Sequence, residues 1–155
     1  MDISDKQSIL AMYKQVGTVE AVVCVGGTAP LDALTDDDFA FSLANKLMGQ
    51  VNLVRYGVPY ISQGGSVTLT SGTLAQHPVL GGAAVSTVNA GIEAFGRAAA
   101  LELQGKIRVN VVSPGWGGRR SKRWDAAPPR AFGRRWSHRP TRNTLRKTSL
   151  GRWCQ

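Results

Sequence analysis

The chain has 155 residues, the length of one ordinary domain, and carries 19 Lys and Arg against 10 Asp and Glu for a net charge of +9. That charge is segregated: residues 1–116 sum to −2, whereas residues 117–155 hold twelve basic residues against Asp125 alone, so the basicity says nothing about the first three quarters. Met1 is followed by Asp2, Asp5 and Lys6 rather than an apolar leader, and no stretch reaches the roughly 18 apolar residues of a membrane span, which points away from secretion and membranes.

In chain order, Ile9, Leu10, Met12, Tyr13 and Val16 recur at helical spacing over residues 5–16, with Ser4 or Asp5 as the cap and Gly17 as the stop. Ala21 to Val25 is a continuous small and β-branched run ending in Gly26 and Gly27, which predicts a strand buried on both faces. Thr35, followed by Asp36, Asp37 and Asp38, puts a capping hydroxyl and negative charge where a helix N-terminus favours them. The helix then runs to about Tyr56, with Phe39, Leu43, Leu47, Val51 and Val54 on one stripe. Gly64 and Gly65 open a second strand over Ser66–Leu69, and a loop follows to Gly82. A second long helix spans residues 83–103, Gly105 ends it, and Ile107 to Val112 is a third strand stopped by Pro114 and Gly115. Strands alternating with helices predict βαβ units and a parallel sheet.

Four stretches resemble the short-chain dehydrogenase/reductase family over residues 2–116. Ile107-Arg108-Val109-Asn110-Val111-Val112-Ser113-Pro114-Gly115 is similar to the family's sixth strand and its Pro-Gly turn. Asn89 to Phe95, with Leu101-Glu102-Leu103, is similar to the helix that begins inside the family's Tyr-x-x-x-Lys motif. Lys46-Leu47-Met48-Gly49 falls on the Asn-x-x-Gly helix segment, and Asp2-Ile3-Ser4-Asp5 resembles the turn after the third strand, while Ser71 closes a strand where the catalytic Ser belongs. The resemblance implies an NAD- or NADP-dependent oxidoreductase. It also implies that the sequence starts after the Gly-x-x-x-Gly-x-Gly loop that cradles the pyrophosphate.

Residue by residue, the match is incomplete. The family's Tyr, its general acid or base, falls on Val85, and its Lys, which tunes that Tyr and holds the nicotinamide ribose, falls on Asn89. Val85 has no proton to give and Asn89 carries no charge, while Lys46 stands where the family has its catalytic Asn. The candidate catalytic residues are therefore Ser71 and Lys46, and the residues left to touch a cofactor are Asp2, Gly26, Gly27, Asn89, Pro114 and Gly115. The expected function is a short-chain dehydrogenase-like oxidoreductase fragment, catalytically incompetent as it stands and not itself holding NAD or NADP. For each candidate there is a plainer structural role: a strand-end hydroxyl for Ser71, a solvated helix lysine for Lys46, turns for the glycines.

Two cysteines, Cys24 and Cys154, form no disulfide framework or CxxC pair, and His77 and His138 stand apart from any metal-ligand set, so a reducing cytoplasmic setting without metal is expected. Residues 117–155 read as a disordered basic tail, since Leu145 and Leu150 are their only aliphatic residues beyond alanine. Two origins fit: a shifted reading frame near position 117, or an evolved nucleic-acid-binding tail in which Trp124, Trp136 and Trp153 stack on bases while arginines neutralise phosphates. Weak nonspecific polyanion binding is expected from either.

The fold class expected is α/β: a partial Rossmann-like doubly wound parallel sheet of about three strands, occupying residues 1–116. Right-handed crossovers that advance in one direction place both long helices on the same face. The other face is then left bare and two sheet edges open, so self-association is expected through those edges or through helices 35–56 and 83–103.

Overall fold

A computed structural model of the chain describes residues 1–29, 31 and 35–115. The expected basic tail, with its frame-shift and nucleic-acid readings, lies outside the described residues. Helix α1 is Lys6–Val16, strand β1 Val19–Val23, helix α2 Asp36–Ser42, helix α3 Gly49–Gly57, strand β2 Ile61–Thr70, helix α4 Ala83–Glu102 and strand β3 Arg108–Val112. A π-helical turn, Leu43–Met48, joins α2 to α3. Short 3-10 turns occupy Val58–Tyr60 and Thr73–Ala75.

The helix starts follow their local chemistry. The Asp5 carboxylate accepts from the N–H groups of Gln7 and Ser8 at the head of α1, and Thr35 and Asp38 form a reciprocal capping box on α2. Gly17, at φ 76°, ends α1 in a conformation that other residues avoid.

The sheet is three-stranded in the order β1-β2-β3, and both pairings are parallel. Val67 and Leu69 in the central strand are fully buried, packed with Ile9 and Tyr13 of α1, Leu53 and Val54 of α3 and Ile92 of α4. All the helical apolar faces thus lie on one side of the sheet. The opposite side is bare among the described residues: Val23 is 65% exposed, Val25 80% and Val112 45%.

Three sequence expectations are corrected. The strand foreseen at Ala21–Val25 is Val19–Val23, and it is not buried on both faces, because nothing in the described residues covers its second face. The second strand is not Ser66–Leu69 but Ile61–Thr70; its first half bulges, since Val19 pairs with Ile61 yet Ala21 pairs with Ser66. Gly64, at φ 79°, turns the chain there. Finally, the single stripe along the first long helix is broken. The π turn puts more residues into one turn, so the phase slips: Leu43 faces outward at 36% exposure, while Gln50, Leu53, Val54 and Gly57 face in.

Candidate functional site

The C-terminal ends of the three strands open on one side. In open parallel α/β sheets this is where ligands bind, in the crevice left as the chain diverges from the strand tips. Here β1 runs into Gly26 and Gly27, β2 into Ser71 and Gly72, and β3 into Ser113, Pro114 and Gly115. Backbone bonds hold these tips in register: Ser71 N donates to Val112 O at 2.9 Å and Thr73 N to Pro114 O at 3.1 Å. On the other side the Thr70 hydroxyl donates to Cys24 O at 2.7 Å.

The π turn closes the crevice from the helix side. Gly27, at φ 100°, lies so near the turn that a Cβ there would sit 2.9 Å from the Lys46 Cα, and Thr28 N donates to Asn45 Oδ1 at 2.8 Å. Only glycine permits this approach. Lys46 therefore projects from a turn pinned to the end of β1, and its Nζ lies 3.5 Å from Ser71 O. Burial of the ammonium pulls its pKa below the usual lysine range, and no carboxylate counteracts this among the described residues.

Ser71 is buried, and its hydroxyl is turned to α4. Its Oγ lies 3.0 Å from Asn89 O and 2.9 Å from Glu93 Oε1, both on α4. Asn89 is 2% exposed, its Nδ2 lies against the Gly72 backbone, and its Oδ1 is buried without a hydrogen-bond partner. Val85, one turn earlier on α4, is also buried. Asp2 accepts from Ser4 N at 2.8 Å and Ser4 Oγ at 2.6 Å, which holds the turn before α1 and lowers the Asp2 pKa. The Ile3 side chain packs between Gly26 and Gly49, so this turn abuts the tip of β1.

The fold thus brings Gly26, Gly27, Lys46, Ser71, Asn89 and the Pro114-Gly115 turn to one end of the sheet. Two polar side chains in this region were missed by sequence reasoning. Glu93 gathers the hydroxyls of Ser71 and Ser113, the latter at 2.7 Å, and the amide of Gln76. Its position four residues after Asn89, on the same face of α4, was the available signal. Gln50, four residues after Lys46, is fully buried and bonds the Thr70 backbone. Beyond Glu93, a groove of about 360 Å³ runs between α4 and the outer edge of β3, lined by Gly96, Arg97, Val109 and Val111 among others.

The Ser113 hydroxyl holds the Glu93 carboxyl below the ordinary glutamate range, against the opposing effect of burial and with lesser help from the Gln76 amide, the Ser71 hydroxyl and the nearby Arg97. A depressed folded-state pKa gives stability that is present above the unfolded value, roughly pH 4.3. It is lost as pH falls through the folded one. Replacing Glu93 with Gln should therefore flatten the acid side of the stability profile, measured by urea unfolding from pH 6 down to 3 (the window set by these values). Superimposable wild-type and variant profiles would show that the cluster contributes nothing.

Whether a nicotinamide dinucleotide fits can be judged from these residues. The buried Asn89 Oδ1, which has no hydrogen-bond partner, is an acceptor of the kind that suits the hydroxyl-rich nicotinamide-ribose end. The pyrophosphate end is not provided for: among the described residues no glycine-rich turn joins a strand directly to a helix, and the N-terminus of α2 carries three aspartates.

Comparison with known proteins agrees with this architecture. Residues 1–150 match a family profile described as Enoyl-(Acyl carrier protein) reductase. The crystal structure of the protein lin1944 from Listeria innocua superposes with a TM-score of 0.72 at 39% identity, over 81% of this chain and 63% of that one. A small-chain dehydrogenase solved in complex with NADPH superposes with a TM-score of 0.71 at 31% identity, over 81% of this chain and 62% of that one. An uncharacterized oxidoreductase, MT0954 of Mycobacterium tuberculosis (strain CDC 1551 / Oshkosh), is 35% identical in an alignment of 97 positions that covers 59% of this chain and 36% of that protein. The chain therefore spans less than two thirds of the length of these relatives. No described helix is long and apolar enough to cross a membrane. With the profile match across nearly all its length and the crevice at the strand tips, the chain belongs to the short-chain dehydrogenase/reductase family.

Proposed function

We propose that this chain is a nicotinamide-facing module of a short-chain dehydrogenase/reductase fold, and that by itself it does not catalyse hydride transfer. The observation that carries this reading is the wall of the crevice formed by α4: Val85 and Asn89 occupy it where the family resemblance puts its proton donor and its lysine. Valine cannot exchange a proton, and positioned proton transfer is worth roughly 10²- to 10⁴-fold in rate. The Ser71 hydroxyl does not compensate, because it is already committed to Asn89 O and Glu93.

Gly26, Gly27, Lys46, Asn89 and the Pro114-Gly115 turn are the residues that would meet the nicotinamide-ribose end of the cofactor, which supplies hydride chemistry when bound. Asp2 belongs to the turn before α1, which abuts the tip of β1 through Ile3. The phosphates would find no cradle in the described residues. NAD and NADP should accordingly bind weakly at best.

Calorimetric titration of the purified chain with NADH and NADPH tests this. No saturable heat is expected with a dissociation constant below about 10 μM, some −7 kcal/mol. A tighter constant would mean that other residues of the chain supply the phosphate contacts, and the reading would fall.

A further inference from the structure

Lys46 is a cation to which the described residues offer no counter-charge. Its side chain is half-buried, its Nζ has only the long 3.5 Å contact to Ser71 O, and no carboxylate among the described residues offsets the loss of water. The backbone that carries it is clamped on both sides. Asn45 Oδ1 accepts from Thr28 N, Leu47 packs on Gly91 of α4, and Gly49 lies against the Ile3 side chain. A Cβ on Gly27 would meet the Lys46 backbone itself. A solvated lysine on a helix face needs none of this, since it keeps its head in water whatever the local backbone does. Short π turns inside helices are frequent at functional sites.

A charge withdrawn from water is stable only when an opposite charge or a set of hydrogen bonds replaces the lost solvation. One carbonyl at 3.5 Å is a poor replacement, and burial accordingly lowers the Lys46 pKa. The partner that suits this ammonium is an anion, and it arrives with a ligand. Its source follows from position. Ser71 O belongs to the residue whose hydroxyl contacts Asn89 O on α4, the wall assigned above to the nicotinamide ring and its ribose. Neither of those groups carries a negative charge, so an anion at this end belongs to the compound that meets the ring. A carboxylate gives the ammonium a charge-assisted bond, roughly twice as strong as a neutral one.

We propose that the Lys46 ammonium anchors the carboxylate of a small organic acid bound at the strand tips. The anchor rests on the nicotinamide-facing reading and adds a substrate class to it: an acid, held from the π turn rather than from α4. A neutral compound of the same shape would leave the ammonium unpaired and half out of water, and should bind less tightly.

The test compares butyrate with butyramide, its neutral isostere, on the full chain. Limiting acetic anhydride, read by peptide mass spectrometry, needs no substitution: butyrate should slow acetylation of Lys46 and leave the exposed Lys6, Lys14 and Lys106 unchanged. Butyramide should protect nothing. Butyrate should also move the ¹⁵N amides of Gly27 and Gly72, and Lys46→Met should weaken that binding roughly 10-fold or more, as expected for a hydrogen bond from a charged donor. Lys46→Arg, which keeps the charge, should recover part of the loss. Equal protection by inorganic phosphate or chloride would make Lys46 an unselective anion contact, and equal protection by butyramide would make the effect one of shape; either overturns the proposal. Nicotinamide riboside, which carries no anionic group, tests the underlying reading through the Gly72 and Gly115 amides. If the riboside moves them and butyrate leaves Lys46 unprotected, the anchor is wrong although the nicotinamide-facing reading stands. If the riboside moves nothing, that reading falls, and the assignment of the anion to a substrate falls with it.

Discussion

Replacing Gln50 with leucine should lower the unfolding free energy by about 2–5 kcal/mol, the cost of leaving two backbone groups unpaired. Gln50 is fully buried, its Nε2 donating to Thr70 O and its Oε1 accepting from Thr70 N, each at 2.9 Å. The side chain thereby closes the peptide at the tip of β2, immediately before Ser71. Leucine preserves the volume, so little of the loss comes from a cavity. Gln50→Glu offers a separate comparison, because a carboxylate still accepts from Thr70 N but no longer donates to Thr70 O. Denaturant unfolding of the three proteins decides the matter, and a loss below about 1 kcal/mol for leucine would show that water replaces both bonds.

The junction between α1 and α3 should be equally sensitive. Tyr13 is 2% exposed, donates its hydroxyl to Leu53 O at 2.9 Å and stacks on Tyr60 with ring centroids 5.2 Å apart. Truncation to alanine removes a buried aromatic and should cost about 3–5 kcal/mol. Tyr13→Phe should cost only about 0.5–1.5 kcal/mol, the worth of one hydrogen bond. Gly57 sharpens the comparison, since a Cβ there would collide with the Tyr13 hydroxyl. Gly57→Ala should therefore destabilise by about 1–3 kcal/mol in the wild type. In the Tyr13→Phe background the cost should be smaller, because the nearest colliding atom is gone and only the ring edge, its Cζ 2.7 Å from the added Cβ, remains in the way. Strict additivity of the two changes would refute the contact.

Burial, with a lesser effect of Cys24, pushes the Tyr13 phenol up to about 12. An unfolded tyrosine ionises near pH 10. The contribution of this phenol should thus be complete below that value and fade as pH rises toward 12. Ultraviolet titration of the phenolates, with and without Tyr13→Phe, reports it.

Much of the architecture was legible from local rules. Thr35 was identifiable as a cap, and Asp5 as one of two candidates with Ser4, because capping chemistry is decided within four residues, and α4 because its alanine-rich run continues through Gly91 and Gly96 to Gly105. The parallel sheet followed from alternation, and the common face of the helices from crossover handedness. The π turn was not legible. Its extra residue suits helical propensity as well as an α turn does, and only the packing of Lys46 on Gly27 and of the following helix on the sheet selects it. The bulge in β2 was hidden for a similar reason: Gly64 and Gly65 read as the start of a strand, whereas the partner strand determines that the ladder resumes beyond them.

The site divides along the same line. The residue types at positions 46, 71, 85 and 89 belong to the sequence, and with them the substitution of valine and asparagine where the resembled pattern carries a proton donor and a cation. Where those side chains point was decided by tertiary structure alone. The Ser71 hydroxyl turns to Glu93 because α4 packs beside the tips of β2 and β3, presenting a carboxylate that outcompetes the strand's own backbone for the proton. Lys46 and Asn89, 43 positions apart in sequence, meet at one peptide only because two crossovers return both helices to the same face of the sheet. Side-chain identity is a property of the chain, but which side chains meet is a property of the space between elements, set by packing that no local pattern encodes.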